Sequence, residues 1–307
     1  MPGSLCLAGG VLYVGRHAKT AHVQLFDMNG RELPGGFSFR DPERARSEAS
    51  DLVVDDDRRI WVADTPAHRV RAFNLFGVEI DALAADPREL ERRRSPASER
   101  DAGDAAGVPA APAALALWPG YGGVEERLAL VVGSGGRRRH GVQVFDLESK
   151  RLLGSLRPEG RADGFFRGVR SLSVCGRRLY VCELGRRAVQ VFRNDAFHFS
   201  LDPLARLRAP EGLETTAVEE LASGRLLWLQ GGRESALRLL EADGREVRRI
   251  AGHGAGDGEL IDPSALVVAP GDEEHRTRVA VIDREGDRIQ VFSLQGHCLG
   301  AFEGLAG

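Results

Sequence analysis

The feature that most constrains this chain is a short run of residues that recurs six times. Its form is apolar, Gln or Arg, apolar, Phe, polar, as in VQLFD, VQVFD and IQVFS, with one degenerate copy, LRLLE. The fourth residues of the copies are Phe26, Phe73, Phe145, Phe192, Leu240 and Phe292. Their separations are 47, 72, 47, 48 and 52 residues. A period of this length indicates a repeat architecture, and the second interval contains an insertion of about 25 residues.

Each repeat holds four short apolar runs. In the last repeat they are SALVVA, RVAVID, RIQVFS and CLGAFE, separated by segments rich in Gly, Asp and Glu. This pattern predicts an antiparallel meander of four strands. The first and second runs are apolar at successive positions, as in VLYVG, IWVAD and LYVCE, so we expect both faces of each sheet to be covered.

Six sheets that must cover each other's faces can stack around a common axis. We therefore predict an all-β fold, a six-bladed β-propeller built from four-stranded antiparallel blades. We expect a single domain over 1–307, because no blade is independent of the ring. The predicted blades span about 4–39, 51–83, 113–156, 165–201, 215–250 and 262–303. In blade four the stretch AFHFSLDP is the predicted outer strand. Both ends of the chain fall at blade boundaries, although a register in which an N-terminal strand joins blade six stays open.

The segment 84–112 differs in composition from the rest of the chain. It is charged, rich in Ala, Pro and Gly, and almost free of large apolar residues. Such a segment buries too little apolar surface to offset the entropy lost on ordering. We therefore predict a mobile insertion here.

Two stretches resemble a known repeat family. They are DGEL, SALVV, VAVID and DRIQVF in the last repeat, and DDDRRIWVADTPAHRVRAFN in the second. These residues resemble NHL repeats. The resemblance implies a propeller, commonly six-bladed, that serves as a platform, and some NHL propellers bind RNA. Similar six-bladed folds include lactone hydrolases and antibiotic-opening lyases, which hold a divalent ion or a catalytic His near the axis.

Four cysteines, Cys6, Cys175, Cys182 and Cys298, are scattered over the repeats. A hairpin between 171 and 182 would separate Cys175 from Cys182 by about 13 Å along a strand, too far for a disulfide. Paired spacing for zinc is absent, so we expect no cofactor and no metal, but four free, mostly buried thiols in a reducing compartment. With no long apolar run and no basic leader, we expect a cytoplasmic monomer with no membrane contact.

The meander topology also predicts a candidate binding surface. Because successive strands are antiparallel, the turns between second and third strands and the crossovers between blades must emerge on one side of the ring, here called the crossover face. These turns hold eleven Arg or Lys against six Asp or Glu, whereas the net charge of the chain is only -3. The candidate partner-binding residues are Arg16, His17, His68, Arg137, Arg138, Arg139, His140, Arg186, Arg187, Arg233 and His253.

Three carboxylates, Asp64, Glu183 and Asp283, end the second runs of alternate repeats. They lie too far from the axis to share one metal ion. Asp64 and Asp283 each precede an arginine, Arg69 and Arg288, by five residues across a turn. We therefore interpret them as turn caps or cross-strand ion pairs.

Three classes of function are compatible with these features. The first is a non-catalytic platform that binds a protein through the crossover face. The second is a hydrolase or lyase with an axial metal or His site, for which His253 is the best placed histidine. The third is an RNA-binding propeller. No G-x-S-x-G or H-E-x-x-H motif occurs, and no catalytic residue is assigned, so we favour the protein platform.

Overall fold

The computed structural model describes residues 2–16, 20–40, 46–84, 111–134, 141–156, 168–185, 187–194, 201–209 and 214–303. In this part of the chain, strands form six sheets, each from residues adjacent in sequence. Helical structure among the described residues consists of two short 3-10 turns, at Tyr121–Gly123 and Glu274–Arg276.

The strands follow one another around the ring, and in every blade they run outward from the axis in sequence order. Blade one contains β1 (Pro2–Ala8), β2 (Val11–Arg16), β3 (Ala21–Phe26) and β4 (Glu32–Phe39). Blade two contains β5 (Asp51–Val54), β6 (Ile60–Asp64), β7 (Arg69–Phe73) and β8 (Glu79–Ala84). Blade three contains β9 (Pro112–Pro119), β10 (Leu128–Ser134), β11 (Val142–Asp146) and β12 (Leu152–Leu156).

The second half of the chain repeats the arrangement. Blade four contains β13 (Val169–Cys175), β14 (Arg178–Glu183), β15 (Ala188–Asn194) and β16 (Leu201–Arg208). Blade five contains β17 (Thr215–Glu220), β18 (Leu226–Gln230), β19 (Ala236–Leu240), β20 (Glu246–His253) and the short β21 (Glu259–Leu260). Blade six contains β22 (Pro263–Ala269), β23 (Arg278–Asp283), β24 (Arg288–Ser293) and β25 (Cys298–Glu303).

The predicted six-bladed propeller of antiparallel blades is confirmed. No described strand is exchanged between the ends of the chain, because β1 pairs with β2 and β22 pairs with β23. Residues 85–110, most of the predicted insertion, lie outside the described residues.

Two details of the predicted blades were wrong. The outer strand of blade four is Leu201–Arg208, so blade four extends beyond the predicted 165–201. Pro203 lies at a register shift opposite Phe192. A proline lacks the N–H of a central strand but fits a bulge in an outermost strand, so the Asp-Pro pair does not end the strand. Blade five also has a fifth strand, because β21 of the crossover pairs in parallel with β20.

The hydrophobic core consists of six clusters, one at each interface between neighbouring blades. Blades one and two share the cluster that contains Tyr13 and Val62, and blades two and three share the one around Trp61 and Phe145. The remaining clusters join blades three to four, four to five, five to six and six to one. The ring is therefore closed by packing on all sides.

The alternation of side chains along a strand explains the uninterrupted apolar runs. In β2, Leu12 and Val14 pack against blade six, whereas Tyr13 packs against blade two. In β6, Ile60 and Val62 face blade one, and Trp61 faces blade three. Since successive residues point to opposite faces of a strand, each second strand needs apolar residues at every position to serve two neighbours.

The interface between blades six and one closes the ring. Leu12, Val14 and Phe26 pack there against Ile282 and Ile289, all less than 8% exposed. Burying such side chains stabilises a fold by about 1.5–3 kcal/mol each, before the opposing loss of conformational entropy is counted. At the rim, the rings of Phe26 and Phe302 are 5.8 Å apart.

Gly30 allows a direct test of ring closure. A Cβ at this position would lie 2.5 Å from Cδ1 and 2.7 Å from Cβ of Phe302, in blade six. Gly244 occupies the matching turn of blade five with a similar φ, +88° against +85°, and a Cβ there would meet no atom within 4 Å. We expect Gly30→Ala to lower the free energy of unfolding by about 1–3 kcal/mol more than Gly244→Ala does, because only the first overpacks an interface. Chemical denaturation measures both variants. Equal losses would show that Phe302 does not cover Gly30.

Candidate functional site

The crossover face is built on a ring of buried polar residues. Each is the last residue of the second strand of its blade, and each is 7% exposed or less. The six residues are Arg16, Asp64, Ser134, Glu183, Gln230 and Asp283. A polar group at this depth must find hydrogen-bond partners, and the nearest ones are the backbone and side chains of the adjoining crossover and turn.

Two of the three predicted carboxylates, Asp64 and Asp283, hold the crossovers in place. Asp283 accepts hydrogen bonds from the backbone N–H groups of Ile261 at 3.0 Å and Asp262 at 2.8 Å, and pairs with Arg288 at 3.3 Å. Asp64 accepts one from the N–H of Glu48 at 3.1 Å. Arg69 was the predicted cation for Asp64, whereas the structure shows Arg71 at 3.3 Å.

The Asp64–Arg71 contact is a diagonal one. Arg69 lies directly opposite Asp64, and Arg71 is the next residue on the same face of β7. A long arginine side chain spans such a diagonal. Burial raises the pKa of Asp64, while the Glu48 backbone hydrogen bond and the charge of Arg71 lower it. In blade four, Gln190 donates to Glu183. These carboxylates therefore have structural roles.

Six of the predicted partner-binding residues, His17, Arg137, Arg138, Arg139, His140 and Arg186, lie outside the described residues. The structure describes the other five, Arg16, His68, Arg187, Arg233 and His253.

Two of these five residues are held inside the fold. Arg16 is 7% exposed, and its Nε and Nη2 atoms are buried without a hydrogen-bond partner among the described residues. Burial lowers the pKa of Arg16, opposed by the nearby carboxylates of Asp287 and Glu32. Nδ1 of His68 accepts a hydrogen bond from the N–H of Ala111, at 3.1 Å, just before blade three. His68 thus helps fix the entry into that blade.

The other three are exposed, in two separate places. Arg187 and Arg233 lie on the second-to-third turns of blades four and five. Neither forms an ion pair with any residue in the described ranges. His253 lies in β20, near the outer edge of blade five, and pairs with Leu260. It therefore does not line the axis, where the enzyme hypothesis would require it.

The turn that carries Arg187 also exposes an apolar side chain. Leu184 is 44% exposed. The neighbouring Gly185 N–H donates to Oε1 of Glu214, at 3.3 Å, on the crossover into blade five. The same carboxylate pairs with Arg170 at 3.1 Å. The crossover face between blades four and five therefore combines an anchored backbone with exposed Leu184, Arg187 and Arg233.

A second candidate site lies on the axis, for which sequence reasoning had offered only His253. The first strands of the six blades enclose a cavity of about 310 Å³ that is open to solvent. Its lining is largely Leu, Val and Ala, with the serines Ser50, Ser171, Ser173 and Ser264. The charged residues of the lining are Asp51, Arg170 and Glu219. A cavity of this size lies at the lower end of the range for small-molecule sites.

Asp51 and Glu219 come from opposite blades, two and five. Oδ1 and Oδ2 of Asp51 accept hydrogen bonds from the backbone N–H groups of Leu52 at 2.9 Å and Leu115 at 2.8 Å. Oε2 of Glu219 accepts one from Oγ of Ser173, at 2.6 Å. Burial raises the pKa of each carboxyl to about 7, against these hydrogen bonds, and the charge of Asp51 raises the pKa of Glu219 further.

The thiol of Cys6 lies in the same cavity. Burial raises its pKa to about 12, and the charges of Asp51 and Glu219 add to the effect. Cys6 is therefore a neutral thiol at physiological pH. All four cysteines are free, as predicted, but Cys182 alone is buried and the other three are partly exposed.

A signal for the axial carboxylates was present in the sequence. Asp51 begins the run DLVV and Glu219 lies in TAVEE, and each of these runs is the first of the four in its repeat. An acidic residue in an otherwise apolar inner strand is costly to bury, which marks it for attention.

Residues 47–73 match the family model of the NHL repeat. The chain is a six-bladed β-propeller with an NHL repeat. The match covers the crossover into blade two and the strands up to β7, which include most of one of the two stretches that resemble NHL repeats in sequence. No curated protein matches this NHL-repeat propeller.

Solved structures similar to the NHL-repeat propeller have different functions. Virginiamycin B lyase from Staphylococcus aureus superposes with a TM-score of 0.58 at 10% identity, over 100% of this chain and 85% of the lyase. Hydrazine synthase from Kuenenia stuttgartiensis gives a TM-score of 0.61 at 13% identity, over 96% and 77%. The Cps50 β-propeller domain of Myceliophteria thermophila gives 0.57 at 17% identity, over 95% and 82%. At these identities the likeness concerns the fold alone.

Two further properties bear on the choice of function. Within the described ranges, no three or more His, Cys, Asp or Glu residues are grouped so that they could hold a metal ion. Nor does any described helix have the length and apolar character needed to cross a membrane.

The raised pKa values of the axial carboxyls predict a pH-dependent stability. A carboxyl with a pKa of about 7 in the folded protein and about 4 in the unfolded chain holds its proton more tightly when folded. The free energy of unfolding should therefore fall as pH rises from about 4 to about 7, and level off above. Glu219→Gln should reduce this fall by on the order of 2–3 kcal/mol.

Denaturation of the wild type and Glu219→Gln between pH 5 and 8 would measure the difference. Glu234→Gln, on an exposed turn, is the control and should keep the wild-type slope. If the free energies of unfolding of the wild type and Glu219→Gln changed with pH in parallel, the raised pKa of Glu219 would be contradicted.

Proposed function

We propose that this propeller is a non-catalytic platform that binds a protein partner through the crossover face. The observation that supports it most is the group at blades four and five. Leu184 is 44% exposed, and the exposed Arg187 and Arg233 have no ion pair with a described residue.

The chemistry of this group fits an acidic protein surface. Protein interfaces combine apolar anchors with arginines, and a guanidinium forms bidentate hydrogen bonds with carboxylates. An arginine that already pairs with a carboxylate of its own chain is less available to bind a carboxylate of a partner. On blade six of the same face, Arg284 pairs with Asp262 at 2.8 Å and Arg288 pairs with Asp283. Blades four and five therefore offer the better contact area.

The anchored crossovers favour binding without rearrangement. Hydrogen bonds from Gly185 to Glu214, and from Ile261 and Asp262 to Asp283, fix the backbone beneath the turns. A surface that is ordered before binding loses less conformational entropy on association. The sequence predicts Arg137, Arg138, Arg139, His140 and Arg186 in the second-to-third turns of blades three and four, outside the described residues.

The other two classes have less support. A hydrolase or lyase with an axial metal or His site needs suitable ligands, and the residues that line the axial cavity include no His. An RNA-binding propeller needs base-stacking aromatics, which the predicted turn sequences lack. RNA binding is therefore kept as one outcome that the capture experiment below can detect.

Charge reversal on the two faces separates these possibilities. Arg187→Glu combined with Arg233→Glu should abolish capture of the protein partner from lysate of the source cells, because it opposes an acidic surface. The control combines Arg177→Glu and Arg278→Glu, two exposed arginines at the opposite face, and should retain capture with the same change in net charge. Both pairs should change stability by less than about 1 kcal/mol, since exposed substitutions have small effects.

Mass spectrometry of the captured proteins, with and without ribonuclease, gives the readout. Capture retained by the Arg187/Arg233 variant and by Arg137→Glu, Arg138→Glu, Arg139→Glu would refute the basic surface. Loss on ribonuclease treatment would favour RNA. Loss with Phe76→Ser would place the partner at the rim of blade two, where Phe76 is 88% exposed.

A further inference from the structure

One carboxylate oxygen in the axial cavity has no hydrogen-bond donor among the described residues. The hydroxyls of Ser171 and Ser173 donate to the carbonyl oxygen of Thr216, at 3.0 Å, and to Oε2 of Glu219. Oε1 of Glu219 receives no hydrogen bond from any described residue. In blade six, Oγ of Ser264, which lines the same cavity, is buried and has no hydrogen-bond partner in the part of the chain that the structure describes. A carboxylate oxygen left in this position calls for a donor.

When both carboxyls are ionised, the lining residues carry more negative than positive charge. Arg170 is the one cation among the lining residues, and its Nη1 is 3.1 Å from Oε1 of Glu214. Cys6 carries a neutral thiol. Asp51 and Glu219 therefore have no cationic partner within the lining, and their location on opposite blades places acidic groups on two sides of the cavity.

The other features of the cavity lining indicate which type of cation would fit beside the two carboxylates. Both oxygens of Asp51 already accept backbone hydrogen bonds, from Leu52 and Leu115, and no third acidic or imidazole group completes a metal site among the described residues. Leu5, Leu115 and Leu266 supply apolar surface next to the carboxylates. An ammonium group on a short hydrocarbon chain matches this combination better than a bare metal ion does.

We propose that the axial cavity binds a small aliphatic amine, whose ammonium group donates hydrogen bonds to Glu219 and is neutralised by Glu219 and Asp51. The hydrocarbon part packs on the leucine and valine side chains of the inner strands. This site is separate from the proposed protein-binding surface, and either could exist without the other.

Binding of the amine should be coupled to release of protons. The titratable or charged groups in the cavity are Asp51 of β5, Glu219 of β17, Cys6 of β1 and Arg170 of β13. Burial keeps the two carboxyls partly protonated near pH 7, and an ammonium ion binds their ionised form. Affinity should rise between pH 6 and pH 8, and the protein should release protons on binding at pH 6.5.

Isothermal titration of the full chain with n-butylamine and with 1,4-diaminobutane tests the proposal. Saturable binding should tighten with pH, and Glu219→Gln should weaken it by at least about tenfold, because a charge-assisted hydrogen bond is lost. Glu220→Gln is the matched control. Glu220 is the next residue of β17, but it accepts a hydrogen bond from the Tyr180 hydroxyl and pairs with Arg178. Its removal should change the affinity by less than about twofold.

A second measurement needs no variant. Titrations of the wild type at pH 6.5 in two buffers with different ionisation enthalpies report the number of protons released. Absence of saturable amine binding at pH 8 would overturn the proposal. So would equal affinities for the wild type and Glu219→Gln, no proton release, or competition by Mg²⁺ or Ca²⁺ at equal concentration, which would indicate a metal site.

Discussion

The structure depends on apolar packing between neighbouring sheets. A single four-stranded blade has no interior, because both of its faces are covered with Leu, Val, Ile and aromatic side chains. Each face is buried only by the next blade, so six blades must form a closed ring to leave no apolar face in water. This constraint accounts for the uninterrupted apolar second strands, and for side chains such as Tyr13 and Leu12 that serve different neighbours.

The same constraint explains what could be predicted from the sequence. The repeated run whose fourth residue is Phe26, Phe73 or an equivalent predicts the number of blades. The strand order and the side of the ring on which the crossovers lie follow from the same repeat. The ends of the blades were less predictable where a residue that disfavours strands lies in an outermost strand that tolerates it. The predicted outer strand of blade four stopped at Pro203, yet the strand continues to Arg208, because an outermost strand has a free edge that needs no proline N–H.

Individual contacts at the two candidate sites could not be derived from the pattern alone. The partner of Asp64 depends on whether the arginine reaches across the ladder or along a diagonal, which spacing does not determine. DLVV and TAVEE place acidic residues in inner strands, but the repeat pattern does not show that Asp51 and Glu219 share one cavity. Their chemistry appears once the first strands of all six blades meet around one cavity.

Packing of blade six against blade one closes the ring, and native-state hydrogen exchange tests this closure most directly. In a closed ring the backbone amides of β2 and β23, at the interface between blades one and six, should be protected to about the same free energy as those of β10 and β14 within the chain. Amides of β2 and β23 that exchange much faster than those of β10 and β14 would show that the ring opens between its first and last blades, and would contradict the account.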